Sequence, residues 1–231
     1  MRVKDKIMLD AEGLMEYGPI NIVIFGDSVS HGAFNGYIDY EHVYWNLLKQ
    51  KLNRFREYIP VNMINTSIGG TTAKASLPRM DKQVLIHDPD LIVICFGLND
   101  VNGSLEDYLE PLKEMFTKCK EQNRDVIFLT PNMLNTYVAS DTPAEHLSYA
   151  AVTAQMQNSG KMDHYMEAAV QLADSMSVPV CDCYAKWKLL SKTEDTTLLL
   201  ANRINHPTEA MHELFAEELY RMILGDQEPR K

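Results

Sequence analysis

Apolar positions along the chain fall into two kinds of segment that alternate. Short continuous runs rich in β-branched residues occupy 20–25, 61–67, 91–96, 126–130 and 178–182. Their length and composition are those of strands buried on both faces. Between them apolar residues recur at a helical period, as at Val43, Leu47, Leu48 and Leu52 within 41–55. Similar patterns predict helices over 82–86, from an N-cap at Ser104 to about Gln122, and over 144–156, 162–176 and 184–190. A last helix is predicted from a cap at Thr208 to about Leu224. Pro111 inside the third of these predicts a kink or an interrupted start.

Strand and helix in alternation imply an α/β fold with a parallel sheet and right-handed crossovers. The expected architecture is one doubly wound domain over 1–231, with five strands in the order 2-1-3-4-5 and a lead-in over 1–19. The stretch 132–158 carries a helix over 144–156, and its length suggests a functional excursion as much as a connector.

Composition narrows the function classes. A net charge of −10 without any Lys/Arg run argues against a nucleic-acid partner and against docking on an anionic membrane. No apolar run approaches the roughly 18 residues of a membrane span. The first 18 residues carry charges throughout, unlike a signal peptide, so the expected location is cytoplasmic. Cys95, Cys119, Cys181 and Cys183 lack zinc-pair spacing and are read as reduced structural thiols. The sequence calls for no metal and no organic cofactor.

The candidate chemistry lies where three strands break. Strand one ends in Gly26-Asp27-Ser28, strand two in Ile68-Gly69-Gly70, and strand three in Gly97-Leu98-Asn99-Asp100. In a 2-1-3-4-5 sheet these carboxyl ends are neighbours, on the edge where open α/β sheets carry their ligands. Near the C-terminus Asn205-His206-Pro207 precedes the last helix and can return to the same edge. A hydroxyl, a histidine, a glycine amide and a carboxamide are the parts of acyl transfer. Ser28 would attack and His206 would take its proton. The Ser28 N–H, the Gly69 N–H and the Asn99 side-chain amide would hold the oxyanion. Asp27 and Asp100 are read as loop supports, and His31 as a residue lining the site. Tyr37 and Tyr40 lie in the loop after Ser28 and are candidates to face a substrate, with plain packing as the alternative.

The blocks GDSVSHG, SIGG, GLND and NHP, in that order, resemble those of the SGNH (GDSL-type) esterase family. The resemblance implies a three-layer α/β/α flavodoxin-like sandwich and hydrolysis of esters or thioesters. It gives Ser28 the role of nucleophile, Gly69 and Asn99 those of oxyanion donors, and His206 that of base. The family's usual Asp three residues before the histidine is absent, and Arg203 stands there. Arginine cannot accept a hydrogen bond from the ring. A main-chain carbonyl within 202–205, the Asn202 side-chain oxygen, or a carboxylate from elsewhere would have to orient His206. The expected activity is removal of small acyl groups, chiefly acetyl, from a carbohydrate or other small-molecule ester. Lipid esterase, acyl-CoA thioesterase and a non-catalytic ligand-binding member are the alternatives.

Overall fold

A computed structural model describes residues 2–55 and 59–225; residues 1, 56–58 and 226–231 lie outside the described residues. Five strands, β1 (Ile20–Gly26), β2 (Val61–Asn65), β3 (Leu91–Cys95), β4 (Asp125–Leu129) and β5 (Val180–Cys181), form one sheet. Its order is β2-β1-β3-β4-β5, and every pairing is parallel. The expected order and three-layer α/β/α class are those found.

The pleat explains why the strands read as unbroken apolar runs. Successive side chains point to opposite faces, and both faces are covered. Val23 and Phe25 of β1, Ile92 and Ile94 of β3, and Val126 and Phe128 of β4 enter one core. They pack there with Leu112 and Phe116 of the helix Leu105–Glu121 and Met166 and Ala169 of the helix Lys161–Ser175. Ile22 and Ile24, Leu91 and Val93, and Ile127 and Leu129 enter the second. That face is closed by Leu48 and Leu52 of the helix Tyr44–Phe55 and by Phe215 and Leu219 of the helix Glu209–Leu224.

Several local expectations are refined. The helix Leu105–Glu121 runs unbroken through Pro111. Its cap is as read, since the Ser104 side chain accepts the Asp107 N–H at 3.1 Å. Thr208 precedes the last helix with extended backbone but makes no side-chain cap bond. The fifth strand contracts to two residues, because Pro179 lacks an N–H to extend a ladder and Asp182 caps the helix Cys183–Leu190. All four cysteines are free and buried.

The lead-in folds into the helices Val3–Ile7 and Ala11–Tyr17. Lys6 anchors it, pairing with Asp90 at 2.8 Å where both side chains are largely shielded. The excursion 132–158 carries the helix Leu147–Asn158. It supports the loop before the last helix, since the Asn135 N–H donates to the Ile204 carbonyl and the Asn132 side chain to the Asn205 carbonyl, each at 2.9 Å. Among the described residues no helix is long and apolar enough to cross a membrane.

Candidate active site

Register sets where the chemistry gathers. Gly26, the last residue of β1, lies beside Cys95, the last of β3. Any side chain at Gly26 would come within 2.6 Å of the Cys95 carbonyl and 2.5 Å of the Ser30 hydroxyl, so only glycine fits between the strands. Asp27 then turns the chain into the single helical turn Ser28–His31, its side chain accepting the Val29 N–H at 3.1 Å. The turn ends at Gly32, whose φ of 98° is in the left-handed region. Ser28 is nearly buried, at 8% exposure.

His206 arrives from the other end of the chain. Its Nε2 lies 3.0 Å from Ser28 Oγ. Its Nδ1 lies 2.7 Å from the main-chain carbonyl oxygen of Phe34. A carbonyl can only accept, so Nδ1 carries the hydrogen and Nε2 presents its lone pair to the serine. Burial lowers the His206 pKa below its usual value, and the bond to Phe34 opposes that shift.

Asn202 does not touch the ring. Its Oδ1 accepts the N–H groups of Ile204, Asn205 and His206 at 2.9–3.0 Å. It is the knot that ties the loop, and the expectation of an orienter within 202–205 is corrected. The orienting carbonyl comes from Phe34, 172 residues away in sequence. Arg203 adopts φ 59°, which turns its guanidinium outward to Asp141 at 3.0 Å and to the carbonyls of Leu198 and Leu200.

Phe34 is held from several sides. Its N–H donates to the Tyr37 carbonyl at 3.0 Å, and a bridge between Ala33 and Ile38 closes the turn. Its ring stacks on Tyr37 with centroids 5.7 Å apart and packs against the buried His212 at 4.8 Å. His212 accepts the Tyr44 N–H through Nδ1, and burial pushes its pKa down to about 3. A carbonyl leaves no mark in residue type, so nothing in the sequence singles out Phe34.

The remaining candidates converge on the same edge. A Cβ added to Gly69 would lie 3.7 Å from Ser28 Cβ, so that backbone reaches the serine. The Gly69 N–H donates to His31 Nδ1 at 3.2 Å. Asn99 donates through Nδ2 to the Thr71 carbonyl at 3.1 Å and, more weakly, to Asp27 Oδ2 at 3.4 Å. Asp100 accepts the Ala73 N–H at 2.8 Å. Burial raises Asp27 to about 7, with the nearby Asp100 adding to the shift against the Val29 N–H, and raises Asp100 to about 6. Each carboxyl accepts a main-chain N–H of a neighbouring loop or turn. Tyr37 and Tyr40 are each 53% exposed beside the site. Among the described residues, the side chains spaced as metal ligands are Asp39, His42 and Glu209, at the surface, where Asp39 Oδ2 already engages His42 Nδ1 at 2.7 Å.

At one sheet edge, then, a hydroxyl is hydrogen-bonded to a histidine whose far nitrogen is fixed, beside a glycine amide and a carboxamide. The GDSL-like lipase/acylhydrolase family matches residues 24–214, and the chain belongs to that family of carboxylic ester hydrolases. An acetylxylan esterase from Geobacillus stearothermophilus is 23% identical over 175 residues, covering 71% of this chain and 72% of that one. The structure of an arginine mutant of an acetyl-xylooligosaccharide esterase from Geobacillus superposes with a TM-score of 0.72 at 20% identity, covering 92% and 97% of the two chains. A lipase/acylhydrolase from Enterococcus faecalis gives 0.69 at 25% identity, with coverage of 92% and 99%. Catalytic mutants of the Geobacillus acetylxylan esterase replace a serine, a histidine and an aspartate three residues before that histidine.

Proposed function

We propose that the protein is a serine esterase that removes small acyl groups, chiefly acetyl, from a carbohydrate ester, working with a Ser28–His206 dyad. The observation that carries the reading is the 3.0 Å contact between Ser28 Oγ and His206 Nε2, with Nδ1 anchored on the opposite side of the ring. Ser28 Oγ attacks the ester carbonyl as His206 Nε2 takes its proton. The carbonyl carbon becomes tetrahedral and its oxygen becomes an oxyanion. The Ser28 N–H is the first amide of a helical turn and has no partner within that turn, so it is free to donate. The Gly69 N–H and Asn99 Nδ2 are the other donors. Collapse expels the alcohol, which takes the proton from His206. Water then attacks the acyl-serine by the same route, releasing the acid and restoring the hydroxyl.

The acetyl and carbohydrate parts of the reading draw on the acetylxylan esterases among the similar proteins and on the exposed Tyr37 and Tyr40. An aromatic face suits the apolar face of a sugar ring. The test is labelling by a fluorophosphonate probe together with hydrolysis of p-nitrophenyl acetate and of acetylated xylo-oligosaccharides. Labelling at Ser28, turnover of both esters, and loss of both in Ser28→Ala are expected. A protein that is neither labelled nor active is a non-catalytic binder. Faster turnover of long-chain than of acetyl esters would move the substrate to lipids.

A further inference from the structure

His31 occupies a hydrogen that the proposed oxyanion needs. A backbone amide has one hydrogen, and that of Gly69 is given to His31 Nδ1 at 3.2 Å. Because Nδ1 accepts, the neutral ring carries its hydrogen on Nε2, which lies 3.3 Å from the Tyr40 hydroxyl. The same ring nitrogen would lie 3.6 Å from a Cβ on Gly69, next to Ser28 Cβ at 3.7 Å, so imidazole, glycine backbone and serine meet at one point. Asn99 shows the same condition independently. Its Nδ2 also spends its donors inside the protein, on Thr71 and Asp27.

We propose that His31 is an internal, displaceable ligand of the oxyanion hole: at rest it holds the Gly69 N–H, and its ring leaves when the substrate oxygen arrives. The proposal rests on the esterase reading above. Displacement is feasible where this residue stands. His31 ends a one-turn helix and is followed by Gly32 in the left-handed region. Its outer contact is to Tyr40, which is 53% exposed. The exchange also favours the transition state. A neutral imidazole nitrogen is a stronger acceptor than a neutral ester carbonyl, whereas an oxyanion makes a charge-assisted bond about twice as strong as a neutral one. His31 therefore competes with the bound ester and loses to the tetrahedral oxygen.

A scalar coupling between the Gly69 amide nitrogen and His31 Nδ1, read by nitrogen-15 NMR, tests this directly. The coupling is expected in the free enzyme. It should vanish after Ser28 reacts with a short alkyl fluorophosphonate, whose phosphoryl oxygen enters the hole as fluoride leaves. His31→Phe keeps a ring of similar size without an acceptor. It should raise the rate of phosphonylation and kcat/KM for p-nitrophenyl acetate by about 2- to 10-fold, the range of one neutral hydrogen bond. Tyr40→Phe should give a smaller rise in the same direction. A coupling that survives in the phosphonylated enzyme overturns the proposal. So does a folded His31→Phe variant, judged by its unfolding midpoint, that reacts more slowly than wild type; that result would make His31 a helper of Gly69 instead. A wild type that does not react at Ser28 overturns the esterase reading itself and this proposal with it. A reacting wild type that keeps the coupling overturns this proposal alone.

Discussion

His206 donates from Nδ1 to the main-chain carbonyl of Phe34 at 2.7 Å, and Arg203, three residues before the histidine, points away from the ring. A carbonyl fixes the tautomer as a carboxylate would, but it carries no net charge to stabilise an imidazolium. That is consistent with the direction of the His206 pKa, which burial lowers and the carbonyl raises less. The proposed base therefore takes up its proton at lower pH than an ordinary histidine. The acid limb of kcat/KM for a neutral ester should have its midpoint below the ordinary histidine value of 6.5. A profile measured between about pH 4.5 and 8 checks this, and a midpoint above 6.5 would mean that some negative charge reaches the ring.

Restoring the family's acid should not help. Aspartate tolerates the left-handed backbone that Arg203 adopts, so Arg203→Asp is a clean substitution in the main chain. The hydrogen on Nδ1 is already used by Phe34, and position 203 projects outward to Asp141. We expect kcat unchanged or lower. The carbonyls of Leu198 and Leu200 lose the guanidinium that binds them, which should cost about 1–2 kcal/mol of stability. A tenfold gain in kcat would show that the loop can rearrange to bring an acid behind the imidazole.

Asn202 offers the opposite case, a residue without a ring contact whose loss should still be felt. Its Oδ1 accepts three successive main-chain N–H groups. Asn202→Ala leaves them without that acceptor and should destabilise the fold by about 1–3 kcal/mol. The shift in His206 should lower kcat by roughly tenfold, far less than His206→Ala. Asn202→Asp keeps the acceptor and should recover most of the loss. Equal losses in Asn202→Ala and His206→Ala, without rescue by aspartate, would make the amide itself part of the chemistry.

Legibility from sequence followed a physical divide. The strands were readable because a doubly covered parallel sheet demands continuous apolar runs, and the abrupt breaks at Gly26, Gly69 and Gly97 marked their carboxyl ends. Ser28 and His206 could be named because a hydroxyl and an imidazole are rare chemistry in such places. Phe34 could not. Its contribution is a peptide oxygen that every residue possesses, delivered by a turn whose shape depends on Tyr37, Ile38 and His212. The His31–Gly69 contact was only half visible: proximity to Ser28 suggested that His31 lines the site, but not that it takes an amide hydrogen. Thr208 stands at the N-cap position as expected but makes no side-chain cap bond, since extended backbone before a helix does not oblige the hydroxyl to turn inward.

Asp27 links the site to stability through pH. It is wholly buried beneath Ser28, and burial, with Asp100 nearby, moves its pKa from 3.8 to about 7. Between those values the native chain holds a proton that the unfolded chain has released. Stability must then fall as pH rises, by up to about 1.4 kcal/mol per unit for this one group. The contribution is neutral below the unfolded value, where both states are protonated, and fully unfavourable above the native value, where both are ionised. Asp27→Asn removes the ionisation and retains an oxygen that can accept the Val29 N–H. Urea unfolding of both proteins at several pH values isolates the group, because Asp100 and the surface carboxylates titrate in both. The unfolding free energy of the variant relative to wild type should climb between about pH 4 and 7, by on the order of 2–4 kcal/mol, and level off outside that window. A difference that stays flat or falls across the window would mean that the Val29 and Asn99 donors outweigh burial and that Asp27 is ionised beneath the serine.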